Sequence, residues 1–364
     1  MGQLRIPGPT PCPPQVLEAM GRAMINHRGQ EFAKIFRRVT EKLKQAFVTR
    51  NDVLVLTGSG TGGLEAAVVN MLSPNDKVLS VSIGVFGDRF ASIAKAFGVD
   101  VVPLKFSLGT AADPAAIGQA LKDNPTAKAV LVTHNETSTG VTNDLEAISK
   151  VVKGAGKLLI VDSISGIGSI ECPVDDWNLD VVVAGSQKGW MVPPGLTMLS
   201  VSPEAWKAYA NAKIPRTYWD LSEAKKYAER GQTPWTPAVS MIYAFDVALD
   251  MLLKDGVDAV VAKHAKIGAA TRSGVKSIGL SLFADEKHAS NTVTAISGPA
   301  GLDIKELRRI LREEDDIVVG EGQQTLSDKI FRIGHMGWVT EKEIEEVIQA
   351  VKAALPRCGF TGAK

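Results

Sequence analysis

Apolar positions between residues 50 and 201 fall into short runs of strand length, at 53–56, 78–81, 99–104, 129–133, 158–161, 181–184 and 197–201. Amphipathic stretches of helical spacing separate most of them, at 62–72, 89–97, 114–121 and 144–153. Such a βα rhythm predicts an α/β fold with a mostly parallel seven-stranded sheet covered by helices. The connection from 185 to 197 is too short for a helical crossover, so one strand there is expected to run antiparallel. Helical patterning also begins near residue 15, recurs over 30–46, and returns as a long segment over 238–253. Beyond it the pattern alternates again, at 280–283, 292–297, 304–313, 317–319, 330–334 and 341–354, which predicts a smaller α+β C-terminal domain. Thr340 followed by Glu343 makes a capping box for the last helix. Pro7, Pro9, Pro11, Pro13 and Pro14 exclude helix and central strand from the first segment. It reads either as an arm lying across a partner subunit or as a plain loop, and the small domain is expected to be completed by it. The expected division is an arm over 1–14, a large domain over 15–253 and a small domain over 254–364.

Composition changes this picture little. The 364 residues are 45% hydrophobic and 22% charged, with a net charge of +1, which fits a globular enzyme and gives no basis for nucleic-acid or membrane-surface binding. Cys12, Cys172 and Cys358 lie far apart without metal or redox spacing, and the five histidines show no ligand spacing, so no metal is expected. Without a leader pattern or an apolar run of about 18 residues, the expected location is the cytoplasm.

The candidate chemistry centres on residues 179–188. A buried strand ends there in Gly185-Ser186-Gln187-Lys188. A lysine held just past a buried strand is poorly solvated, which favours the neutral amine, a nucleophile suited to a Schiff base with an aldehyde. Leu179-Asp180, Gly185-Ser186-Gln187-Lys188 and Gly195-Leu196-Thr197 together resemble the lysine-attachment motif of class V pyridoxal-phosphate aminotransferases. The fold implied is fold type I, and the cofactor implied is pyridoxal 5'-phosphate on Lys188.

That cofactor needs an acid, an anion cup and a ring platform. The strand over 157–161 ends in Asp162-Ser163, and an acid at the carboxyl end of a parallel strand faces the ligand crevice. Taken alone, Asp162 could equally cap the next turn; the resemblance assigns it to the pyridine nitrogen. The Gly-rich turn over 57–63 opens a helix and offers amides to an anion, with Ser59, Gly60 and Thr61 at its centre. It has no Walker lysine and lacks the spacing of a dinucleotide fingerprint. Phe86, between Gly84 and Gly87, is the candidate platform where related enzymes carry Trp; a core aromatic is the other reading. The segment Thr133-His134-Asn135-Glu136-Thr137-Ser138-Thr139-Gly140 is similar to a family segment in which Thr137 would reach the ring hydroxyl. Glu136 is expected as a structural partner for loop amides, and Gln187 as a donor to the phosphate or a guide for Lys188. The resemblance further implies that Thr233 and Thr236 reach the phosphate of a neighbouring subunit, hence a homodimer. Arg332, in Phe-Arg-Ile-Gly-x-x-Gly, is the expected anchor for a substrate carboxylate. His335 is expected to be structural.

The chain looks most like the alanine–glyoxylate, serine–glyoxylate and serine–pyruvate aminotransferases. That implies transfer of an amino group from a small amino acid, alanine or serine, to glyoxylate or pyruvate in a ping-pong cycle. No motif marks a second arginine for a distal carboxylate, which speaks against aspartate or glutamate. A cysteine desulfurase would need a loop cysteine ahead of Arg332, and 297–332 holds none. A 2-aminoethylphosphonate aminotransferase and a non-catalytic binding or subunit protein of the same fold remain as alternatives.

Overall fold

The computed structural model describes residues 2–360. The chain opens with β1 (Gln3–Arg5), α1 (Pro14–Met20) and α2 (Gln30–Ala46). The alternating region follows as β2 (Asp52–Thr57), α3 (Gly60–Met71), β3 (Lys77–Ser82), α4 (Val85–Ala96), β4 (Asp100–Lys105), α5 (Pro114–Asp123) and β5 (Ala129–Thr133). A small ribbon, β6 (Asn135–Glu136) with β7 (Val141–Thr142), precedes α6 (Leu145–Gly154), β8 (Leu158–Asp162), β9 (Val181–Gly185) and β10 (Leu196–Val201). Then come α7 (Pro203–Asn211), α8 (Leu221–Ala228), α9 (Val239–Leu253) and α10 (Val257–Ser277). The last stretch holds β11 (Ser281–Leu282), β12 (Val293–Ser297), α11 (Ile304–Glu314), β13 (Ile317–Glu321), β14 (Ile330–Gly334) and α12 (Glu341–Ala354).

Seven strands form one sheet in the order β2-β10-β9-β8-β5-β3-β4. Only β10 runs against its neighbours, pairing antiparallel with both β2 and β9, as the short connection required. The continuous apolar runs are explained by what covers the sheet. Alternate residues point to opposite faces, and each face has its own core. Val53, Val55, Val130, Val132, Leu159 and Val161 enter one core, while Leu54, Leu56, Leu131, Ile160, Val181 and Val183 enter the other. A strand buried on both sides has no reason to alternate in polarity. The six parallel strands end at one edge, where Ser59, Asn135, Asp162 and Lys188 follow them in the chain. That edge is where open α/β sheets take ligands.

The second sheet has the order β1-β13-β14-β12-β11, with a core shared by α10, α11 and α12. β1 pairs parallel with β13, so the N-terminal segment does complete this sheet. Arg5 ties it down through Glu343 on α12 at 2.5 Å. The proline-rich segment then runs over the Lys188 loop of its own chain: the Thr10 amide donates to the Gln187 carbonyl at 3.1 Å and its hydroxyl to the Lys188 carbonyl at 2.9 Å.

The sequence pattern does not announce α7, α8 or the 21-residue α10. In α10 the buried positions are His264, Ile267, Gly268, Thr271 and Val275, only two of them aliphatic, and two glycines stand in close contacts. A Cβ on Gly274 would stand 2.9 Å from Ile348 of α12, and one on Gly268 would stand 3.0 Å from Asn291. A histidine, a glycine and a threonine on the buried face weaken the periodic apolar signal. Among the described residues no helix is long and apolar enough to cross a membrane.

Candidate functional site

A cavity of about 310 Å³ lies at the carboxyl edge of the large sheet. Ser59, Gly60, Thr61, Phe86, Thr137, Asp162, Gln187 and Lys188 all line it, though they come from five separate segments of the chain. Arg332 stands immediately behind the wall, donating to the Thr137 carbonyl at 2.7 Å.

Each side chain is placed by the strand or helix beneath it. Lys188 follows β9 and is 9% exposed, with its amine donating to the Pro7 carbonyl. Burial lowers its pKa to about 8, and the positive charges of Arg332 and Arg89 act in the same direction against the pull of Asp162. Asp162 ends β8 and is 3% exposed. Burial raises its carboxyl to about 7, with Glu136 adding to the effect, while the Ile164 amide, Lys188 and Arg89 oppose it. Its Oδ1 accepts from the Ile164 amide at 3.0 Å, so the acid caps the next turn and still faces the cavity.

The Gly-rich turn forms the N-terminus of α3. Ser59 caps it by accepting from the Gly62 amide at 3.4 Å. The Gly60 and Thr61 amides donate to nothing among the described residues. Glycine is required at 58 and 62 because the Trp219 ring lies 2.8 Å from where a Cβ would be at either position. Gln187, beside the lysine, has a buried side-chain oxygen with no partner. Phe86 stands in the first turn of α4, and the Arg89 guanidinium lies 4.8 Å from its ring centroid.

Arg332 on β14 is 5% exposed. Its Nε donates to the Glu321 carbonyl at 2.8 Å, and it forms no ion pair within 4.0 Å among the described residues. Burial lowers its pKa to about 10, with Glu136 and Glu321 acting the other way. A buried guanidinium held by carbonyls and lacking a carboxylate partner is an anion receptor in waiting.

Thr233 and Thr236 do not join this cavity. The Thr233 hydroxyl donates to the Trp235 carbonyl at 2.6 Å, and Arg28 donates to the Thr233 and Pro234 carbonyls. Trp235 and Tyr218, stacked at 6.1 Å, stay 42% and 47% exposed beside them. His335 is buried and hydrogen-bonded to Thr294 at 2.9 Å. Among the described residues no group of three or more His, Cys, Asp or Glu side chains could hold a metal.

The sequence reading missed Gly8, Arg89, Asn135, Ser165 and Gln323, which also line the cavity. Arg89 follows Phe86 by three positions and therefore shares its helix face, a signal that could have found it. Gly8 and Gln323 arrive by tertiary folding alone and leave no local trace.

A buried amine of this kind should show its own titration. In the ligand-free protein, acylation of Lys188 by acetic anhydride is expected to rise with pH and level off above about pH 8. Surface lysines are expected to keep gaining through pH 10. Peptide mass spectrometry across a pH series reads both; a Lys188 profile that tracks the surface residues would refute the assignment.

The aminotransferase class-V family model matches residues 4–347. The chain is 41% identical over 362 residues to a protein of Synechococcus named soluble hydrogenase, small subunit, covering 98% of this chain and 94% of the relative. It is 36% identical over 363 residues to the serine–glyoxylate aminotransferase of Methylorubrum extorquens, covering 97% and 90%. Its structure resembles that of pyridoxamine–pyruvate aminotransferase from Mesorhizobium loti with a TM-score of 0.95, at 33% identity, over 99% of this chain and 93% of the other. A match over nearly the whole length, in sequence and in fold, settles the family: the chain belongs to the class-V aminotransferases.

Proposed function

We propose that this chain is a pyridoxal-phosphate-dependent aminotransferase that moves the amino group of alanine or serine to glyoxylate or pyruvate in a ping-pong cycle. The observation that carries the reading is one cavity lined by both a buried amine and a buried acid, with one anion receptor in its wall and another directly behind it. In the wall are the unpartnered amides of α3; behind it, on the Thr137 carbonyl, is unpaired Arg332. Those features fit the phosphate, ring and aldehyde of pyridoxal phosphate, with Phe86 available to cover a ring face.

Pyridoxal phosphate, when bound, supplies an aldehyde for amine chemistry and a conjugated ring that accepts the electrons released when the Cα–H bond breaks. The buried Lys188 amine would hold that aldehyde as an imine, with loss of water, and as a free amine it would carry the Cα proton as general base. Asp162 would keep the pyridine nitrogen protonated, Ser59, Gly60 and Thr61 would hold the phosphate, and Thr137 would reach the ring hydroxyl. Arg332 clamps the substrate carboxylate, which fixes the Cα–H bond relative to Lys188.

The same reading divides the chain into an arm over 1–14, a large domain over 15–253 and a small domain over 254–364. It makes the enzyme a homodimer in which Thr233 and Thr236 complete the phosphate site of a second copy; the exposed Trp235 and Tyr218 beside them support a protein-covered surface. Free Cys12, Cys172 and Cys358 accord with a cytoplasmic location.

The relative named as a hydrogenase subunit favours a second reading, a subunit that keeps the fold without catalysis. One experiment separates the two. The holoenzyme is mixed with single amino acids and followed by the visible spectrum of its cofactor. Alanine and serine are expected to convert it to the pyridoxamine form at least about tenfold faster than glutamate. Preference for glutamate would overturn the donor assignment, and a spectrum unmoved by every amino acid would favour the subunit reading.

A further inference from the structure

Helix α4 begins without a cap of its own. Its N-cap is Gly84, which has no side chain to offer. A Cβ there would sit 2.6 Å from the Glu136 carboxyl carbon. The first-turn amides are met instead from β6, fifty residues further along the chain. Glu136 Oε2 accepts from the Phe86 amide at 3.1 Å and the Gly87 amide at 3.2 Å. Its Oε1 accepts from the Ser138 amide at 3.1 Å and from the Ser138 hydroxyl at 2.5 Å. Ser138 Oγ accepts in turn from the Val85 amide at 3.1 Å. Glu136 is fully buried and makes no ion pair within 4.0 Å among the described residues.

Between these two residues, the Thr137 carbonyl takes the hydrogen bond from Arg332. Three consecutive residues therefore hold the first-turn amides of α4, that of Phe86 among them, on one side and the guanidinium of β14 on the other. The buried negative charge of Glu136 also faces the buried positive charge of Arg332 without touching it. The contrast with α3 is informative. Both helices start in glycine-rich turns at the same sheet edge, yet in α4 a protein carboxylate already occupies the amides that remain open in α3. Only one of the two N-termini is left for an outside anion.

We infer that Glu136 is a positioning residue that locks the Phe86 platform and the Arg332 anchor into one unit, so that ring stacking and carboxylate binding depend on the same buried carboxylate. The inference rests on the reading above, in which Phe86 covers the ring and Arg332 takes the substrate carboxylate. A carboxylate accepts along both oxygens; Glu136→Gln keeps the shape but turns one acceptor into a donor facing N–H groups.

The test uses Glu136→Gln and the milder Ser138→Ala beside the wild type. In the cofactor-free protein, hydrogen exchange at the Phe86 and Gly87 amides is expected to quicken about tenfold or more in Glu136→Gln. In the holoenzyme the variant is expected to lose visible circular dichroism of its cofactor. KM for alanine should rise about tenfold, a larger change than that in kcat. Ser138→Ala should shift the same readouts in the same direction and by less, and it carries the test should Glu136→Gln not fold. Exchange, dichroism and KM all within twofold of wild type would overturn the inference. Borohydride reduction of the wild type separates the two levels: cofactor fixed on Lys188 upholds the site reading whatever the variants do, whereas no adduct at that residue removes the site reading and this inference together.

Discussion

Lys188→Ala is expected to lower kcat by about 10⁴-fold while leaving the fold intact. In the proposed function the side chain has two tasks, nucleophile towards the cofactor aldehyde and carrier of the Cα proton, and alanine performs neither. Stability should not suffer in the ligand-free protein. The amine is buried at 9% exposure, and its closest polar contact is a single carbonyl, that of Pro7. Its desolvation already costs enough to lower its pKa to about 8. Removing a poorly solvated cation relieves that cost and leaves only the cavity of its stem. Steady-state turnover, thermal melting and borohydride trapping read the three parts of this expectation. Small primary amines added to the variant should restore part of the rate, because they supply the missing base without the missing tether. Turnover within tenfold of wild type, or trapping on another lysine, would remove Lys188 from the centre of the chemistry.

What the sequence revealed and what it hid follow one physical division. Lys188, Asp162 and the turn at 57–63 were legible because each stands at or just past the end of a strand whose two-sided burial is written as a continuous apolar run. A parallel sheet aligns such strand ends at one edge, so reading the strands already groups the residues that follow them. Arg332 was legible as a motif but its state was not. That it is buried, held by the Glu321 and Thr137 carbonyls and free of any carboxylate depends on β13 and on a loop nearly two hundred residues away. Gly8 enters the cavity because β1 pairs with β13 and leads the chain across Lys188; no local pattern encodes that path. Helix α10 was hidden for the opposite reason, since His264, Gly268 and Thr271 share its buried face with only two aliphatic residues. Thr233 and Thr236 show a third case. Their motif is plain, yet in the single chain the Thr233 hydroxyl bonds to the Trp235 carbonyl and neither residue lines the cavity, so the role proposed for them rests on a second copy.

Asp162→Asn separates the structural from the chemical duty of that residue. The asparagine oxygen can still accept from the Ile164 amide, so the turn after β8 should persist. An amide cannot hold a proton on the ring nitrogen by charge, and kcat is expected to fall by about 10²- to 10³-fold with a smaller change in KM. Stability of the ligand-free protein should move the other way. Burial raises the Asp162 carboxyl from 3.8 to about 7, so between those values the folded chain binds a proton that the unfolded chain has released. The contribution of this group to stability is therefore whole below pH 3.8 and lost as pH climbs through 7. Asparagine has no such titration, and the variant should melt above wild type at pH 8, with the gap closing towards pH 4. Saturating pyridoxal phosphate should cancel or reverse that gap at pH 8, because a pyridinium beside Asp162 pays back the ionised carboxylate and offers the amide much less. A variant that turns over at the wild-type rate, or whose melting advantage at pH 8 survives cofactor undiminished, would show that the acid does not face a cationic ring.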